Sequence, residues 1–196
     1  MSKPNMSRLH NAIDLLGKLV AFDTTSKNSN LGLIHFVRDY LAEYGIESTL
    51  FHDETGEKAN LLATIGPKGV PGIALSGHTD VVPALETTWV SPAFELTERD
   101  GKLFGRGAAD MKGFSACVLA LIPDLVKRDL TMPFHLCLSY DEEVGCLGAP
   151  ALIARMCKDI PMPRAAIIGE PTSMKLVNAH KGSALYETTV TGRPSH

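Results

Sequence analysis

Three short apolar runs, IALSGH over 73–78, HLCLSYDEE over 135–143 and AIIGE over 166–170, each end in a residue able to hold a cation. Runs of this kind, apolar without polar alternation, are strands covered on both faces, and such strands belong to sheets flanked by helices. Helical periodicity is found between them. Leu9, Ile13, Leu16 and Val20 recur at one spacing, and Leu31, Ile34, Val37, Leu41 and Tyr44 at another, with Gly45 placed to stop the second helix. ESTLFH and NLLATIG read as neighbouring strands, and AFELTERDGKLFGRG as a hairpin turning at Asp100-Gly101. Residues 113–128 predict a helix that Pro123 should kink or shorten, GAPALIARMCKD another helix, and AAIIGE a further buried strand. Strands alternating with helices predict an α/β fold with a mixed, largely parallel sheet between helices. From Lys175 the run KLVNAHKGSALYETTVTG reads as strand-rich, opening a second unit.

Charge and composition narrow the function. A hydrophobic fraction of 44% supplies one sizeable core, and a formal net charge of -3 without any block of like charge gives no footprint for nucleic acid or an anionic membrane. No apolar stretch approaches the ~20 residues that span a bilayer, and MSKPNMSRLH lacks the apolar centre of a secretory signal, so a cytoplasmic protein acting on a small polar substrate is expected. Cys117, Cys137, Cys146 and Cys157 form no CxxC pair and read as reduced, partly buried residues.

The chemistry lies where the apolar runs end. His78, Glu142, Glu143 and Glu170 follow predicted strands, and in open α/β sheets ligands sit outside the carboxyl ends of the strands. Asp110, in the small-residue loop GRGAADMKG, is a fifth candidate. One imidazole among carboxylates suits zinc, or cobalt or manganese, better than calcium, copper or an iron-sulfur centre. The donors outnumber what one catalytic ion with an open position needs, so a metal pair sharing a carboxylate, best Asp110, is expected. Asp80 is placed to accept the other ring N–H of His78. Glu142 and Glu143, taken as extended backbone, should point to opposite sides, one binding metal and the other serving as acid/base. A lone HTD is more often a hydrogen-bonded turn and a lone DEE a solvated loop, but four such sites, each ending an apolar run, are poorly explained as unrelated loops. GRGAAD lacks the pattern of a dinucleotide or phosphate loop, and no G-x-S-x-G elbow is present. His10, His35, His52 and His135 have no partner motif and read as surface or packed histidines.

At SGHTDVVP, GRGAADMKGF, SYDEEVGCLGA, IIGEPT and GRPSH, in this order, the chain resembles the M20 metallopeptidase family. The resemblance implies a zinc-peptidase-like catalytic domain over 1–181 and, over 182–196, the start of an α+β lid or dimerisation domain. It implies that His78, Asp110, Glu143 and Glu170 bind metal with Asp110 bridging, that Glu142 is the general base, that Asp80 supports His78, and that His196 stabilises the oxyanion. The implied activity is hydrolysis of N-acetyl-L-ornithine to acetate and L-ornithine in arginine biosynthesis, by a homodimer acting on a small N-acyl amino acid. Desuccinylase, aminoacylase and dipeptidase activities are alternatives within the same chemistry, and a non-catalytic metal- or amino-acid-binding module is an alternative outside it. Family members supply a last histidine ligand from beyond the lid domain, so a polypeptide of these 196 residues is expected to have little or no turnover.

Overall fold

Leu15, Leu16, Leu19 and Val20 fall on one face of helix α1 (Met6–Val20), and Leu33, Ile34, Val37 and Leu41 on one face of α2 (Leu31–Glu43); all eight are buried. Leu9, expected on the apolar face of α1, lies one turn too early to reach the core and is exposed. Helix α2 ends as the sequence predicts. Gly45 takes a left-handed φ of 70°, its N–H donates to the Ala42 carbonyl, and the Ile46 N–H reaches back to that of Leu41. This pattern occupies carbonyls that the last helical turn leaves unpaired.

The computed structural model describes residues 6–179, 181, 182, 184 and 186–193. Beyond the first two helices the order is β1 (Ser48–His52), β2 (Ala59–Ile65), β3 (Ile73–His78), the hairpin β4 (Thr97–Arg99) and β5 (Lys102–Phe104), α3 (Lys112–Leu125), β6 (Phe134–Ser139), α4 (Ala149–Asp159) and β7 (Ala165–Ile168). Helix α3 contains Pro123 and ends two residues later, short of the expected 128. The main sheet has the order β1-β2-β6-β3-β7. The β1-β2 and β2-β6 pairs are antiparallel, whereas β6, β3 and β7 run parallel.

Alternate residues of the central strands enter two cores. Leu61, Ala63, Leu75, Leu136 and Leu138 pack with the buried faces of α1, α2 and α3, while Leu62, Ala74 and Cys137 pack with Leu152 of α4. Burial of each large side chain contributes about 1.5–3 kcal/mol, so a strand apolar on both sides is stable only between two helical layers. No helix among the described residues is long and apolar enough to cross a membrane.

Three expectations need correction. Strand β7 is exposed along its length, including Ile167 and Ile168, because it pairs with β3 alone and lies at the edge of the described sheet. None of the described residues from 175 to 193 is in a strand; they are exposed and have no ladder partner, which an alternating sequence needs before it becomes a strand. Among the four free cysteines only Cys137 is buried, the other three being exposed.

Candidate metal centre

Because β3, β6 and β7 are parallel, their carboxyl ends meet at one edge of the sheet. Register sets His78 beside Ser139, so the segment 141–143 emerges next to the imidazole. Ser76 pairs with Ile168, and the Gly169 N–H donates to the Ser76 carbonyl at 3.1 Å, which delivers Glu170 to the same edge. Asp110 arrives on the loop before α3. That loop turns at Gly107, whose φ is 79° and where a Cβ would lie 2.7 Å from Val81 Cγ1, so glycine is required on both counts. Gly77 has a second close approach, since a Cβ there would stand 2.9 Å from Met111 Cε.

His78 is at the centre of the cluster. Its Nδ1 donates to the Asp80 backbone carbonyl at 2.9 Å, which turns Nε2 towards the carboxylates. Nε2 lies 3.0 Å from Asp110 Oδ1, 3.7 Å from Glu170 Oε1 and 4.0 Å from Glu142 Oε2. The donor atoms of His78, Asp110 and Glu170 fall within 4.8 Å of one another, and so do those of His78, Glu142 and Glu143. His78 and Asp80 are buried, whereas Asp110, Glu142 and Glu170 are partly open, so the imidazole forms the floor and the carboxylates the accessible rim.

The electrostatics suit a cation. Burial, and then the Asp110 and Glu142 carboxylates, raise the Glu143 and Glu170 carboxyls against the opposing pull of His78. Burial alone would lower His78, but Asp80 and Glu170 raise it to about 9. Carboxylates that disfavour one another's charge, around an imidazole already oriented from behind, form a donor set that fits a divalent ion of the zinc type.

The structure thus brings together His78, Asp110, Glu142, Glu143 and Glu170, with Asp80 directly behind them. It corrects the reasoning about the adjacent glutamates: residues 141–143 are not extended, because Asp141 has φ 55° and the Glu142 carbonyl accepts from the Gly145 and Cys146 N–H groups in a turn. Both carboxylates therefore reach the His78 side. The role of Asp80 also differs in detail. It meets the His78 ring through its carbonyl, its carboxylate standing 3.5 Å from Nδ1. That carboxylate accepts the Glu142 N–H at 2.9 Å, the Glu143 N–H at 3.2 Å and the Ser26 hydroxyl at 2.7 Å. Burial pushes the Asp80 carboxyl up, but His78, the Glu142 amide and Ser26 together bring it below the ordinary range. His196 and the end of the expected lid segment lie outside the described residues.

Sequence reasoning missed the supports behind the cluster. The Thr24 hydroxyl donates to the Thr79 carbonyl at 2.6 Å, Asn30 Nδ2 to Thr79 Oγ1 at 2.8 Å, and Lys112 Nζ to the Phe22 carbonyl at 2.8 Å. Lys112 is buried, which lowers its ammonium pKa to about 8 despite Asp23 nearby. The one available signal was the polar stretch Asp23-Thr24-Thr25-Ser26 straight after an apolar helix, which shows no ligand spacing.

Residues 74–192 match the family described as Peptidase family M20/M25/M40. The chain is 38% identical over 194 residues to the acetylornithine deacetylase of Pasteurella multocida (strain Pm70), an alignment covering 98% of this chain and 50% of that protein. It is 42% identical over 186 residues to the acetylornithine deacetylase of Myxococcus xanthus, covering 92% and 47%. The chain thus spans about half the length of the curated relatives it matches. Among solved structures, an M20 family metallo-carboxypeptidase from Sulfolobus solfataricus superposes with a TM-score of 0.69 at 18% identity, over 86% of this chain and 37% of that one. Human carnosine dipeptidase 1 does so with a TM-score of 0.64 at 23% identity, over 79% and 36%. These two share the fold. With the match over 74–192 covering more than half of its residues, the chain belongs to the M20/M25/M40 peptidase family.

Proposed function

We propose that this chain is the metal-binding part of an amidohydrolase whose complete form converts N-acetyl-L-ornithine to acetate and L-ornithine, a step of arginine biosynthesis in the cytoplasm. The observation that carries the reading is the convergence of four carboxylates on His78, three of them within 4.0 Å of its Nε2, at the carboxyl edge of the sheet. Similarity to two acetylornithine deacetylases supports this substrate within the family's range.

In this reading His78, Asp110, Glu143 and Glu170 would hold the zinc, with cobalt or manganese as replacements. Zinc there would polarise the acyl carbonyl and acidify a water. Glu142, partly open at the rim, takes the proton of the attacking water and returns it to the leaving amine nitrogen. His78 keeps its orientation through the Asp80 carbonyl, and Asp80 fixes the peptide that carries Glu142. His196 is proposed to donate to the oxyanion. Residues 1–181 constitute the catalytic domain and 182–196 open the lid or dimerisation domain of a homodimer. The 196-residue polypeptide alone is accordingly proposed to turn over slowly or not at all.

The test is ornithine release from N-acetyl-L-ornithine by the zinc-loaded complete protein, with Glu142→Gln as the discriminating variant. The expected result is a kcat lower by about 10²–10⁴-fold with zinc content retained. Equal turnover by the variant would remove Glu142 from the chemistry, and no hydrolysis by the complete protein would refute the substrate.

A further inference from the structure

Lys58 is the residue just before β2, and its side chain is largely enclosed. Its Nζ donates to both carboxylate oxygens of Asp141 at 2.6 Å and also to the Ser26 carbonyl. Asp141 is buried and begins the turn that carries Glu142 and Glu143. Ser26 returns the connection, for its hydroxyl donates to Asp80, which accepts the amides of Glu142 and Glu143. The bonds close a ring that runs from Lys58 through Asp141, the two glutamate amides, Asp80 and Ser26 back to Lys58.

We propose that Lys58 is a positioning residue, locking the Glu142–Glu143 turn against Asp80 so that both carboxylates face His78 before any metal arrives. Successive N–H groups converging on one anion form a nest, and a nest needs its backbone held in an uncommon conformation. Asp141 adopts such a conformation, with φ 55°, and the two hydrogen bonds from Lys58 hold it there. The base of Lys58 is itself clamped. Its N–H donates to Asp53 Oδ1 at 3.0 Å, its carbonyl accepts the Asp53 N–H at 3.0 Å, and the following Ala59 N–H donates to Asn30 Oδ1 at 2.9 Å. The β1-β2 hairpin and the α1-α2 connection thereby aim one ammonium at the turn. A lysine is suited to this position because three donors from one charged group serve two carboxylate oxygens and a carbonyl.

This inference deepens the metal-centre reading, and its test separates the two. Hydrogen exchange at the Glu142 and Glu143 amides is measured by NMR in the metal-free chain, for wild type, Lys58→Gln, Lys58→Arg and the double variant Lys58→Met/Asp141→Leu. The double variant removes both charges, so it leaves none unpaired if Lys58→Gln folds poorly. Exchange at the two amides is expected to quicken about tenfold in Lys58→Gln and in the double variant, with Leu62 and Leu138 in the sheet unchanged and protection regained in Lys58→Arg. Zinc titration of the same proteins should show affinity about tenfold weaker in Lys58→Gln and near wild type in Lys58→Arg. Unchanged exchange at both amides in Lys58→Gln and the double variant would overturn the proposal, as would equal loss of protection in Lys58→Arg and Lys58→Gln. If the wild-type chain takes up no zinc, the metal reading fails, while the exchange rates still decide the role of Lys58.

Discussion

Two buried histidines sit on neighbouring parallel strands and have opposite fates. His78, at the carboxyl end of β3, is held from behind by the Asp80 carbonyl and faces carboxylates. His135, near the start of β6, has Nδ1 against Thr64 Oγ1 at 3.0 Å and an Nε2 with no partner among the described residues, and burial lowers its pKa below the ordinary value. A group whose folded pKa is depressed in this way binds more protons unfolded than folded just below its ordinary pKa, about 6.5 for histidine, so its stability contribution is complete above that value and is lost as pH falls. Relative to wild type, His135→Phe should therefore gain stability as pH is lowered from about 7 to about 5, read from urea midpoints of both proteins. Parallel pH profiles would show that His135 titrates alike in both states. The sequence leaves His135 as a surface or packed histidine by default, since nothing in its neighbours distinguishes a ring facing an acid cluster from one enclosed in a core.

At the scale of elements, the strands that lead to His78 and to Glu142 were legible because their apolar runs stop where the chemistry begins, and the stop of α2 was legible in Gly45. The turn after β6 was not. Asp141 adopts φ 55° and its carboxylate is bonded to Lys58, 83 positions away, and no local pattern records so distant a contact. Strand β7 was legible as a strand but not in its exposure, because apolar residues mark both a buried strand and an edge whose cover lies elsewhere in sequence. Its link to the site depends on one glycine. A Cβ on Gly169 would lie 2.0 Å from Phe114 Cγ of α3, so Gly169→Ala must push β7 or the ring aside and shift Glu170 with it. The expected cost is about 1–3 kcal/mol in denaturant midpoints, together with weaker zinc uptake. A loss below about 0.5 kcal/mol would mean that the edge strand moves freely and does not fix Glu170.

Across the whole molecule, the candidate site draws on parts that are far apart in the chain and meet only through the parallel register of β6, β3 and β7. Its donor types were readable one strand end at a time, whereas the enclosed supports contributed by Ser26, Asn30, Lys58 and Lys112 were not, because they are hydrogen bonds between residues far apart in the chain and leave no spacing in the sequence. The claim on which the rest depends is that these residues form one divalent-metal centre, and His78 belongs to both of its donor groups. The direct test is calorimetric zinc titration of the wild-type chain against His78→Ala. The account predicts saturable zinc binding by wild type and an affinity lower by about 100-fold or more in the variant, with both donor groups disabled by one change. Zinc binding of equal affinity in the two proteins, or none in wild type, would contradict it.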